Sequence, residues 1–317
     1  MISFRYHIVS IVSVFLALAI GVALGGGPLK GEVDNTLVQQ VQNDRKVKKD
    51  LQTTISGLKS GNGFTDEFAK NAAPSLLGGS LRGRAVTVVV FPTAQQSDVK
   101  GLTDLIGVAG GTVASTLRVG NPLIDAGQKE LVDELGSQLE GQAPGLNVPA
   151  DASAYERMGD LIARAFGTTD AAGSPPDKVT SAILAGLTTT KLLSVEGKVD
   201  RRGSLMLFVT GAGSGNDSDK QGAATIISTL ATSVDAGTDG VVVAGPIASA
   251  RPGGAVKAIR DDVAASRDVS TVDSLGRTAG QVVSVMALAG QAANQTGQYG
   301  AIDAADGAMP GATGGGD

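Results

Sequence analysis

The stretch AVTVVVFP, residues 85–92, carries no charge and a single hydroxyl, and it ends on a proline. Side chains of a strand alternate between its two faces, so a run that is apolar at successive positions must be covered on both sides. Such strands fill parallel sheets. The pattern recurs at TVASTLRV (112–119), SLMLFVTG (204–211), GVVVAGP (240–246) and VSTVDS (269–274). Segments with helical periodicity lie between them, at Ser97–Gly110, Asp219–Val234, Gly254–Asp262 and Thr278–Gln291. The alternation predicts an α/β fold with a doubly wound, mainly parallel sheet over residues 64–292.

Outward from those strands the character changes. Residues 120–200 read as a helical insertion, with helices at Asp125–Leu139, Ala154–Phe166 and Asp177–Leu193 joined by Pro/Gly-rich loops. Residues 293–317 end in GQYGAIDAADGAMPGATGGGD, whose low complexity predicts a disordered Gly/Ala-rich tail.

At the other end, Ile8–Leu24 is seventeen residues without a charge. As a helix it is about 26 Å long, and Tyr6 to Leu29 extends it past the ~30 Å hydrocarbon core. Residues 1–30 therefore read as a transmembrane anchor. A cleaved signal is the alternative, since Ala23 and Gly25 satisfy a small-x-small cut before Gly26. Both readings keep Arg5 and His7 inside and send the bulk of the chain out, a single-pass protein of the cell membrane with a cytoplasmic N-terminus.

Residues 31–63 follow as a coiled-coil-like helix. Heptad spacing selects Val33, Leu37, Gln40, Asp44, Val47, Leu51, Thr54 and Leu58, with Val41 and Ile55 widening the stripe. An isolated helix of this kind is marginal in water and needs a partner. The partner is its own domain, a second copy held parallel by the adjacent anchor, or a different protein. A homodimer through residues 33–58 is the expected arrangement. SGNGFTDEF (60–68) is expected to break the helix.

Composition limits the chemistry. There are no cysteines, the one histidine is His7, and the net charge is −5. Disulfides, thiol nucleophiles and Ser-His-Asp catalysis are absent beyond the anchor, and nothing points to nucleic acid. The best phosphate-loop candidate is VTGAGSGNDSD (209–219), but Asn216 stands where G-x-G-x-x-G needs its third glycine. A turn with a helix cap from Asp217, Ser218 or Asp219 explains it more simply. The five methionines are scattered, with Met206 and Met286 in core positions, and no ligand cluster for a soft metal ion is evident. No catalytic residue, cofactor or metal site is expected. A ligand, if bound, belongs at the carboxyl ends of the strands, near Pro92, Thr210, Gly211, Gly213, Gly245, Pro246, Arg251 and Asp273.

The opening MISFRYHIVSIVSVFLALAIGVALG, the junction LLGGSLRGRAVTVVVFP, the strand GVVVAGP and the closing STVDSLGRTAGQVVSVMALAGQ with GQYG resemble the actinobacterial MctB/SteB family over residues 1–300. The resemblance implies copper transport, with a pore in the mycobacterial outer membrane. For the corynebacterial members, called SteB, it implies work with a membrane partner, SteA, in cell-wall remodelling during daughter-cell separation. Short strands apolar on both faces suit a covered sheet better than a lipid-facing barrel. The expected role is therefore protein contact in the cell envelope with a SteA-like partner, and copper export is the alternative.

Overall fold

The computed structural model describes residues 4–26 and 29–311, with side chains from 4–25 and 37–311. It separates into two units, Met1–Phe64 and Thr65–Asp317. The first holds α1 (Phe4–Gly26) and most of α2 (Leu29–Leu77). Among the described residues, Phe4–Gly25 is the one stretch long and apolar enough to cross a membrane.

The expected break at residues 60–68 is corrected, because α2 continues to Leu77. Gly57, Gly61 and Gly63 each weaken a helix by about 1 kcal/mol relative to Ala. Burial further along offsets that cost: Ala69, Ala73 and Leu77 recur every fourth residue and are all buried.

In the second unit the chain runs β1 (Ala85–Val90), α3 (Gln96–Val108), β2 (Thr112–Val119), α4 (Asn121–Ile124), α5 (Lys129–Glu140), α6 (Ala154–Phe166), α7 (Lys178–Thr189) and β3 (Leu193–Glu196). It continues through β4 (Leu205–Val209), α8 (Asp217–Asp235), β5 (Val241–Ala244), α9 (Ala255–Asp261), α10 (Val263–Asp268), β6 (Ser270–Val272), α11 (Thr278–Gln291) and β7 (Gln298–Tyr299). The strands form one sheet in the order β3-β2-β1-β4-β5-β6-β7. Every neighbouring pair is parallel except β2 with β3.

The sheet is covered on both faces, as the apolar runs require. Val89, Met206, Phe208, Val241 and Val243 point into a core shared with α5, α6, α8 and α9. Val88, Val90, Leu207, Val209 and Val242 point into the other, with α3, α11 and the end of α2. The two layers meet different helices because successive strand residues face opposite ways.

Three expected elements differ. The helix at 125–139 is split, since Asp125 turns back to accept from the Gly127 amide at 2.9 Å and α5 starts at Lys129. The helix expected to reach Leu193 stops at Thr189. Lys191 adopts φ 58°, the left-handed region, and Leu193 opens β3, antiparallel to β2. Residues 293–311 of the tail expected to be disordered are ordered and supply β7 alongside β6, while 312–317 lie outside the described residues.

Candidate functional site

An open parallel sheet binds ligands where the strand order reverses, between the carboxyl ends of β1 and β4 here. Pro92, Thr210, Gly211 and Gly213 line one cavity at that place, with Phe91, Thr93 and Lys220. Its volume is about 40 Å³, room for a water or two and far below a small-molecule pocket.

The crevice is closed by its own loops. The Phe91 amide donates to the Val209 carbonyl at 2.9 Å, and the Thr210 amide to Ala244 at 2.8 Å. A Cβ on Gly211 would lie 1.9 Å from the Thr93 carbonyl oxygen, so only glycine lets the two loops touch. The Lys220 stem fills the space beside Gly213 and Gly253. Gly245 packs beside Thr210: its Cβ would meet the Thr210 hydroxyl at 2.5 Å and the Ser249 hydroxyl at 2.4 Å. Pro246 follows, half-buried, and its carbonyl accepts from the Ser249 hydroxyl at 2.7 Å.

The helix behind the crevice also turns phosphate away. Asn216 is itself the N-cap of α8, with the Asp219 amide donating to its side chain at 3.0 Å. Asp219 returns the bond, accepting from the Asn216 amide at 3.1 Å. This capping box puts Asp217 and Asp219 on the positive end of the helix, where an anion would otherwise sit. The cap expected from Asp217, Ser218 or Asp219 is thereby corrected to the residue that replaces the third glycine.

Gly245 and Pro246 stand beside the cavity without lining it, and two further expected cleft residues lie elsewhere. Arg251 is exposed on the loop beyond Pro246 and does not line the cavity. Asp273 is fully buried, ion-paired with Arg260 at 2.9 Å. It accepts from the Ala301 amide at 2.7 Å and the Ile302 amide at 2.9 Å. Arg260 also donates to the Tyr299 carbonyl at 2.7 Å and to the Ile302 carbonyl. The pair therefore clasps the C-terminal segment onto the sheet, which is why that low-complexity segment is ordered.

The expected interaction residues lie along α2. Leu37, Val41, Val47, Leu51, Ile55 and Leu58 are between 47% and 63% exposed on α2. They form a run of large apolar side chains along that helix. Val33 lies outside the described side chains.

A second recess lies away from the expected cleft. It holds about 400 Å³ and is lined by Asp160, Arg164, Thr168, Arg202 and Ser233, among others. Burial pushes the Asp160 carboxyl up to about 6, and the charges of Glu156 and Glu140 push the same way. Arg164 is committed to Asp177 at 2.7 Å and holds that carboxyl well below its usual range. Glu156, Asp160 and Arg164 recur at helical spacing, which was the available signal. Among the described residues no group of three or more His, Cys, Asp or Glu side chains is placed to hold a metal ion.

The fold thus defines a doubly wound α/β protein preceded by a membrane-length apolar helix and a long second helix. The profile of a family described as "Copper transport outer membrane protein, MctB" matches residues 1–310, and the chain belongs to that family. It is 27% identical over 305 residues to "Copper transporter MctB" of Mycobacterium tuberculosis (strain ATCC 25618 / H37Rv), covering 91% of this chain and 92% of that protein. To "Copper transporter MctB" of Mycobacterium leprae (strain TN) it is 29% identical over 327 residues, covering 95% and 96%.

Proposed function

We propose that this chain is a membrane-anchored envelope protein that serves copper export or copper resistance through protein contact, without carrying the ion through its own fold and without catalysis. The uncovered apolar stripe of α2 carries the reading, because a surface of that kind is kept for a partner. The process comes from the relatives, which are named copper transporters. Copper(I) is cargo that favours thiolate and thioether ligands. This chain has no cysteine, and Met158 and Met206 are fully buried, so the contact role suits its residues better than a conducting one.

A second reading rests on the same stripe and needs no metal: work with a SteA-like membrane partner in cell-wall remodelling and daughter-cell separation. Complementation separates the two. A deletion strain should become copper-sensitive, and the wild-type gene should restore tolerance. A Leu37→Asp, Leu51→Asp double variant should accumulate in membranes yet fail to restore it. Chained cells at unchanged copper tolerance would replace the first reading by the second, and full rescue by the double variant would remove the contact mechanism.

A further inference from the structure

The recess beside Asp160 lies at the amino ends of the strands, where α6 and α8 both finish. Glycines bring the two helices close: a Cβ on Gly159 would lie 2.6 Å from the Ser233 Cβ, and one on Gly237 would lie 2.9 Å from that of Ala163. Helix C-termini carry partial negative charge, and two of them border this one space.

The charged side chains here are not used up by the fold. Arg202 is held by its backbone, whose amide donates to the Ser174 carbonyl at 2.8 Å. Its Nη1 donates to the Arg164 carbonyl at 3.3 Å, on the last turn of α6. Its Nε is buried and has no acceptor in the protein, alone in this among the described side-chain nitrogens and oxygens. A buried donor left unmet costs about 1–3 kcal/mol, so it calls for an explanation. Asp160 lines the same recess half-buried, yet among the described residues it forms no ion pair with Arg202 and accepts no hydrogen bond. The charges that act on it, Glu156 and Glu140, have its own sign. Arg164, the other cation of the recess, is spent on Asp177.

We infer that the recess binds a small zwitterion of amino-acid type, with Arg202 taking its carboxylate and Asp160 its ammonium. A plain anion would meet Asp160 and two negative helix ends, and a plain cation would meet Arg202 and Arg164. A molecule with both charges meets each with its opposite, and it supplies the Nε–H of Arg202 with the acceptor that the chain withholds. Thr169 and Ser233 add hydroxyls to the lining. The volume of about 400 Å³ falls in the range of small-molecule sites. This site belongs to the α/β domain and stands apart from the contact role of α2.

The test is calorimetric titration of the full-length protein in detergent with glycine, β-alanine and γ-aminobutyrate, in which the two charges are set progressively further apart. At least one should bind, and butyrate and propylamine, with one charge each, should bind about tenfold more weakly, the worth of a charge-assisted hydrogen bond. Asp160→Asn keeps the shape of the side chain. It should weaken the zwitterion and propylamine several-fold while strengthening butyrate, an opposition that a merely structural role would not produce. Arg202→Lys keeps the charge but loses the Nε–H, and it should weaken the zwitterion and butyrate while sparing propylamine. No binding of any of the three zwitterions at millimolar concentration would overturn the proposal. Equal affinity for butyrate or for propylamine would overturn it as well, by reducing the recess to a site for a single charge. So would unchanged zwitterion affinity in both variants.

Discussion

Asp235 closes α8 with its carboxylate accepting from the Val241 amide at 2.9 Å, at the point where the chain turns into β5. Burial raises its pKa to about 6, the bond from Val241 opposes the rise, and the charge of Asp268 adds to it. The folded state therefore keeps a proton that the unfolded chain has already released. Stability contributed by this group must fall as pH rises from about 4 to about 6, and it stays low above that. Asn in its place preserves the acceptor and never ionises. Asp235→Asn should leave stability near pH 4 little changed and raise it at pH 7 by roughly 1–2 kcal/mol, allowing for the solvent that reaches the carboxylate. Asp160 is raised likewise and keeps its own slope in the variant. Denaturant midpoints across this range check the prediction; parallel curves for the two proteins would contradict it.

At the level of elements, β7 shows how a weak sequence acquires a fixed place. It is two residues long and has no apolar run of its own, yet it extends the sheet beyond β6. The cause is the buried Asp273–Arg260 pair, which spends most of its hydrogen bonds on residues 299–302. A chain ending at residue 295 would leave both charges short of partners and open the β6 edge. Leaving a buried polar group without its hydrogen-bond partner costs about 1–3 kcal/mol. The shortened protein should melt well below the full chain, and an unchanged melting temperature would mean that the clasp contributes nothing. The N-terminus of α11 is built in the same long-range way. Its Thr278 amide donates at 3.1 Å to Asp66, a residue of α2 more than two hundred positions earlier.

For the molecule as a whole, the proposed contact role implies no substrate route through the α/β domain. The switch-point crevice holds about 40 Å³, and both faces of the sheet are buried under helices. Full-length protein in detergent should accordingly bind no stoichiometric copper(I) under reducing conditions. Calorimetry is the measurement, and a tight one-to-one site would restore direct transport as the mechanism.

Where burial follows from a local run of residues, the amino-acid order alone was sufficient. The two-sided strands, the membrane-length helix and the parallel sheet were legible because a run such as Val88–Val90 has no exposed way to lie. The α6 helix was legible for a related reason: Ser153 and Glu156 form a capping box within four residues, with bonds of 3.3 and 2.6 Å. Tertiary structure decided the rest. Asp273 reads as a cleft carboxylate until its partners 28 and 29 residues later are seen. Likewise, Gly211 reads as a phosphate-loop glycine until the Thr93 carbonyl is found against it. Continuity of α2 through three glycines depends on the burial of Ala69, Ala73 and Leu77 beyond them. In each case the deciding atom lies outside the motif, and only the folded chain brings it within bonding distance.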